Sequence, residues 1–189
     1  WIASEAIHEG RVDLIPCPFS RVPLLMESGT LDIDVAFVQV TPPNEAGYCS
    51  LGVAVDVARQ AMEQSSLVVG EINTRIPRTY GDTFVHVSDF DYLVRATEAP
   101  LYFSRWPVDE AYNRLAANVA SLIEDGSCIA FSIGPLYEAL SVNLVNKHHL
   151  GIHSPFFTDA LMDLIRSGAV TNRYKETYRG KALTSYAIG

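Results

Sequence analysis

The apolar and polar positions of the chain alternate between two periods. Apolar residues three and four apart predict helices at residues 2–9, RVPLLMESG (21–29), VAVDVARQAMEQ (53–64), VDEAYNRLAANVASLIEDG after Pro107, PLYEALSVNLVNK (135–147) and FTDALMDLIRSG (157–168). Short apolar runs between them predict strands at VDLIP (12–16), DVAFVQV (34–40), SLVVGEI (66–72), CIAFSI (128–133), HLGIH (149–153) and GKALTSYAIG (180–189). Gly29, Gly126 and Gly168 stop three of the helices, and Asp109 with Glu110 puts negative charge at the start of the longest, where the helix dipole favours anions. The unbroken apolar character of DVAFVQV predicts burial on both faces, as in a parallel sheet sandwiched by helices. Alternation from end to end predicts an α/β fold with two open, mainly parallel sheets and flanking helices.

Two segments predict loops. TPPNEAGYCSLG (41–52) holds two prolines, two glycines and the turn chemistry of NEAG, and NTRIPRTYGD (73–82) follows the next strand. Ligands of open α/β sheets bind beyond the carboxyl ends of the strands, so both loops, on one sheet edge, are expected near a site together with residues 133–136 and 151–157. The proline-bracketed APLYFSRWP (99–107) predicts a boundary that divides the chain into domains 1–105 and 106–189.

A chain of 189 residues that is 48% hydrophobic can bury a sizeable core, and its net charge of −8 argues against a nucleic acid partner. The charge is uneven. Arg166, Arg173, Lys175, Arg179 and Lys181 face only Glu176 in the last 24 residues, a cluster that reads either as a solvated face or as a local anion site. Cys17, Cys49 and Cys128 lie far apart without a CxxC spacing, which points to the cytoplasm, with Cys49 a small core filler. No apolar run approaches the ~20 residues that cross a bilayer, so no membrane partner is expected. His148, His149 and His153 match no common metal-ligand spacing, and no metal is expected. Trp1 in the place of a Met, and a final strand that stops at Gly189, point to truncation at both ends and to the remainder of a longer chain as a partner.

Three motifs carry a resemblance: TPPNEAGYCSLG (41–52), EINTRIPRTYGDTFVHVSDFDYLV (71–94) and LGIHSPFFTDALMDLIRSGAVTN (150–172). In this order and spacing they resemble the acetyl-CoA hydrolase/CoA-transferase family, which includes 4-hydroxybutyrate CoA-transferases. The resemblance implies a CoA-transferase-like α/β fold, with acyl-CoA in a cleft between two domains. It also implies small carboxylates as co-substrates, coenzyme A as substrate rather than tightly bound cofactor, and a homodimer as a possible assembly. Contacts to CoA would fall on Ser50, Arg78, Thr79, Ile133, Gly134 and Gly151. The family's nucleophile is a glutamate in GIHSE or GIHTE, which forms an acyl anhydride and then a glutamyl-CoA thioester. Here that position is Pro155, after Gly151, Ile152, His153 and Ser154. The upstream glycine-rich GIGxxP turn of the family is also altered, to Ser132-Ile133-Gly134-Pro135-Leu136-Tyr137.

Two functions of different class follow. An acyl-CoA-handling enzyme without the glutamate must work through another group: Ser154 beside the altered position, or a water activated by His153 or Glu71, could support direct thioester hydrolysis. The alternative is a non-catalytic CoA-binding or scaffolding domain that keeps the fold without the glutamyl-CoA chemistry.

Overall fold

The structure is a computed structural model that describes residues 4–189. Its first sheet joins three parallel strands, β1 (Val35–Val40), β3 (Leu67–Ile72) and β5 (Tyr92–Arg95), in the order β1-β3-β5. The register sets Phe37 beside Val69 and Val69 beside Tyr92, and it sets Gln39 beside Glu71. Helices α2 (Val22–Glu27) and α3 (Ala58–Gln64) pack together, and Met62 of α3 joins Val38, Val40 and Val68 in a core cluster that also holds Cys49, Leu51 and Val85. The predicted helix at residues 2–9 corresponds to α1 (Ser4–His8); its first two positions lie outside the described residues.

Several expectations need correction. Residues 12–16 form no strand and are exposed, since no neighbouring strand pairs with them. Strand β1 is not buried on both faces: Ala36, Val38 and Val40 are buried, whereas Phe37 is 78% exposed. The segment 41–52 is more than a loop. After the NEAG turn, where Asn44 Oδ1 accepts from the N–H groups of Ala46 and Tyr48, it forms β2 (Tyr48–Ser50), antiparallel to β4 (Phe84–His86). The helix expected from residue 53 starts at Ala58, because residues 53–55 are used for extended pairing with 185–187.

The remainder of the chain builds a second, smaller parallel arrangement. β6 (Cys128–Ile129) pairs with β7 (Gly151–Ile152), and β8 (Phe156–Thr158) pairs with β9 (Tyr186–Ile188). Single bridges at Leu150 with Val170 and at His153 with Leu183 extend them. Helices α4 (Glu110–Ser121), α5 (Pro135–Asn143) and α6 (Asp159–Arg166) supply Ala116, Leu140, Leu161 and Leu164 to a core closed by Ile129, Leu150 and Ile152. Helix α4 starts later than Pro107 predicts because Asp109 is its cap, accepting from the N–H of Tyr112 at 2.9 Å. The strand expected over 128–133 stops at Ile129 because Ser154 takes over the pairing beyond it. The Ser154 hydroxyl accepts from the Phe131 N–H at 3.0 Å and donates to the Phe131 carbonyl at 2.8 Å, where a strand would supply backbone.

The two parts are stitched by backbone. Ala187 N–H donates to Val53 O at 2.8 Å, Val55 N–H to Ser185 O at 3.2 Å, and Ala54 bridges Tyr186 in antiparallel sense. This joint brings β9 to the carboxyl edge of the first sheet.

Candidate functional site

The loops that follow β1 and β3 meet on one edge, as the strand pattern predicts. Ser50 is their fastener. Its fully buried hydroxyl accepts from Gly52 N–H and Thr79 N–H, each at 3.1 Å, and lies 3.2 Å from Thr79 Oγ1. Thr79 Oγ1 in turn donates to Gly52 O at 2.7 Å. The Arg78 guanidinium donates to Pro42 O at 2.9 Å and to Tyr48 O, and stands over the Phe84 ring. In this geometry Ser50 and Thr79 clamp the two loops, and the half-buried Arg78 satisfies carbonyls. Burial pushes the Cys49 thiol above its usual value, opposed by Arg78, so Cys49 behaves as a core residue.

Between this edge and β9 lies an open cleft of about 560 Å³. The first sheet contributes Gln39 and Glu71, the following loop Arg75, the proline-rich segment Glu98 and Tyr102, and the second part Asp159. The parallel register explains the best-defined polar pair. Gln39 Nε2 donates to Glu71 Oε2 at 2.7 Å, which fixes one carboxylate oxygen and leaves the other for a ligand or water. A carboxylate oriented in this way, in a cleft that Arg75 and apolar walls also line, has the parts needed to bind an acyl group and move a proton.

The other sequence-predicted residues fall elsewhere. Ser154 is 2% exposed and its hydroxyl is fully engaged with Phe131, so it organises the loop. His153 and Pro155 are exposed on either side of it, and Pro155 O accepts from the N–H groups of Ser185 and Tyr186. Gly151 is packed against Lys175: a Cβ there would meet Lys175 Cγ at 2.7 Å. Ile133 is partly exposed, and Gly134 has φ +125°, which caps α5 in a conformation that a side chain would strain. Among the described residues, no three His, Cys, Asp or Glu side chains gather as a metal site.

A charged cluster behind the cleft could not be read from spacing. Arg105, in the segment before α4, pairs with Asp163 and lies 3.8 Å from both Glu138 and Asp159. Burial pushes Glu138 above the usual carboxylate range; Arg105 opposes this, and Asp159 and Asp163 add to it. The hydrogen bond to Asp163 raises Arg105. Lys175, read from the sequence as part of a basic cluster that is either a solvated face or an anion site, is neither in the structure. Its ammonium is buried and donates to Ile152 O at 2.7 Å and Lys181 O at 2.8 Å.

The fold and cleft define a class: an α/β protein with an open cleft at the carboxyl edge of a parallel sheet, flanked by a second parallel unit. The profile of the acetyl-CoA hydrolase/transferase N-terminal domain matches residues 2–104, and the chain belongs to that family. A 4-hydroxybutyrate coenzyme A transferase of Clostridium kluyveri is 40% identical over 185 residues, 98% of this chain and 43% of the relative. A succinyl-CoA:acetate/propanoyl-CoA:succinate CoA transferase of Fasciola hepatica is 36% identical, over 98% of this chain and 39% of its own length. Among solved structures, a 4-hydroxybutyrate CoA-transferase from Porphyromonas gingivalis superposes over the whole chain with a TM-score of 0.88 at 34% identity, covering 49% of that protein. RipA from Yersinia pestis superposes with a TM-score of 0.90 at 28% identity, covering 44% of that protein. The chain thus spans less than half the length of these relatives. Among the described residues, no helix is long and apolar enough to cross a membrane.

Proposed function

We propose that this chain is part of a cytoplasmic enzyme that binds a short acyl-CoA in the 560 Å³ cleft and hydrolyses the thioester, with Glu71 as general base. The observation that carries the reading is the Glu71 carboxylate, oriented by Gln39 in a cleft lined by both parts of the chain. Residues 1–105 and 106–189 act as the two domains whose facing edges form that cleft. Glu71 takes a proton from water, and the water oxygen attacks the thioester carbonyl. Arg75 supplies positive charge for the oxyanion. Collapse of the tetrahedral species breaks the C–S bond, and the thiolate leaves as free CoA after taking up a proton. Pro155, at the position that the resemblance gives to the nucleophilic glutamate, carries no carboxylate, so transfer through a glutamyl-CoA thioester is not expected. Ser154 and His153 hold the loop and do not enter the reaction.

The test is acetyl-CoA hydrolysis by the full-length protein and by Glu71→Gln. General acid–base catalysis contributes roughly 10²–10⁴-fold, and a loss of that order in kcat with little change in KM is expected. An unchanged kcat removes Glu71 from the reaction. The second reading, a non-catalytic CoA-binding domain, is favoured by Pro155 and by the saturated hydroxyl of Ser154. Binding of CoA with no thioester turnover selects it.

A further inference from the structure

Residues 97–108, between β5 and the cap of α4, form no helix or strand, and the consecutive residues Glu98 to Phe103 line the 560 Å³ cleft. A second cleft of about 690 Å³, across the backbone joint, shares Val53, Tyr186 and Ala187 with the first but takes no residue from this segment. Backbone that leaves regular structure must find partners or turn to water. Pro100 and Pro107 have no N–H to give. Among the described residues, 97–108 makes one backbone–backbone bond, from Phe103 N–H to Gly189 O at 3.2 Å, and accepts one side-chain bond, from Asn73 Nδ2 to Glu98 O at 3.4 Å. Its apolar side chains hold it no better, since Leu101 is 93%, Tyr102 70% and Phe103 57% exposed.

The remaining tether is charge. Arg105 pairs with Asp163 of α6 and lies 3.8 Å from Asp159 of α6 and from Glu138 of α5. Among the described residues, no other cation pairs with these three carboxylates. One guanidinium therefore answers an excess of negative charge on two helices, which draws the segment to the second unit. The side chains of Arg105 and Asp163 are both partly exposed, so water and salt weaken the pair. Such a tether holds a segment that has few other bonds and still lets it go. The two ends of the segment are fixed: Ala96 N–H donates to Ile72 O at 2.9 Å, and Asp109 caps α4. A stretch of few bonds between fixed ends is where local opening is least costly.

We infer that residues 97–108 are a strap that swings off the 560 Å³ cleft to admit a ligand, and that Arg105 latches it back over the occupant through Asp163. Leu101, Tyr102 and Phe103 leave water when the strap lies on an apolar occupant, which drives closure. Arg105 is a positioning residue in this device, since it holds the wall of the cleft from the far side. The closing of the strap on an acyl group rests on the proposed function; the latch itself does not.

The experiment is limited chymotryptic digestion of the full-length protein, with each cut located by mass spectrometry. Leu101, Tyr102 and Phe103 offer sites inside the strap, and where opening is fast relative to cutting the rate follows the open population. Arg105→Gln and Asp163→Asn should each speed cutting within 97–108 by roughly two- to fivefold, the worth of a partly exposed ion pair, with cuts elsewhere unchanged. Arg105→Lys, which keeps the charge, should speed it less. High salt should speed cutting of the unmodified protein by a similar factor and leave Arg105→Gln as it was, with rates referred to a short peptide substrate in the same buffer. Melting curves confirm that each variant is folded, and should Arg105→Gln fail to fold, Asp163→Asn decides. Saturating S-propyl-CoA, a thioether that cannot be hydrolysed, should slow cutting in the strap by about tenfold or more. Cutting that neither variant changes overturns the inference. Calorimetric binding of S-propyl-CoA that leaves the strap unprotected also overturns it, while the proposed function stands. No binding of S-propyl-CoA removes the proposed function, and the variants then decide the latch alone: faster cutting supports it and unchanged cutting overturns it.

Discussion

Ser154 and Glu138 show two ways in which a buried polar group is accommodated. Ser154 substitutes for a strand by satisfying both backbone groups of Phe131. Ser154→Ala leaves a buried N–H and C=O unpaired, so a loss of about 1–3 kcal/mol is expected in chemical denaturation, with the rate per folded molecule unchanged. A large loss of kcat at unchanged stability would instead make Ser154 catalytic. Glu138 is the opposite case, since its burial outweighs the attraction of Arg105. Its pKa in the folded state lies above the unfolded one, so the protonated form is favoured by folding. The contribution of Glu138 is therefore most favourable below the unfolded pKa and declines as pH rises through the folded pKa. Glu138→Gln mimics the protonated form, and it should melt higher than the unmodified protein at neutral pH. That advantage should fade as the pH falls through the folded pKa. A gap that is independent of pH would contradict the assignment.

The elements that the sequence pattern predicted best are those with a private signal. The apolar stripe of α6 and the β1 and β3 runs stand almost where the pattern placed them, and Leu164 is fully buried, so Leu164→Ala should cost roughly 2–5 kcal/mol. What failed depended on partners distant in sequence. VDLIP is as apolar as a strand but finds no ladder, and β2 hides in a segment rich in Pro and Gly because β4 lies 34 residues beyond it in register, Ser50 opposite Phe84. The Gln39–Glu71 pair was half legible. Glu71 ends an obvious strand, but only the parallel register brings Gln39 to it. The pairing of 53–55 with 185–187 had no local signal at all, and it forms the joint between the two clefts. Ala187→Pro removes the N–H that donates to Val53 O and should loosen that joint. Faster amide exchange confined to residues 53–57 and 184–188 is the expected readout, and unchanged protection there would show that the joint does not depend on this bond.

At the scale of the whole molecule, two parallel units meet through a short backbone ladder, and each side of that ladder is a cleft. Residues of the family motifs, among them Gly52, Glu71, Arg75, Thr79 and Asp159, line these clefts. The proposed function turns on Pro155, at the position that the resemblance gives to the nucleophilic glutamate: we propose hydrolysis through an activated water and not through a covalent carboxylate. The most direct test is intact mass spectrometry of the full-length protein during turnover of acetyl-CoA. The account predicts free CoA in solution with no CoA adduct on the protein, and an adduct trapped only after Pro155→Glu. A CoA thioester recovered on any carboxylate of the unmodified protein would contradict it.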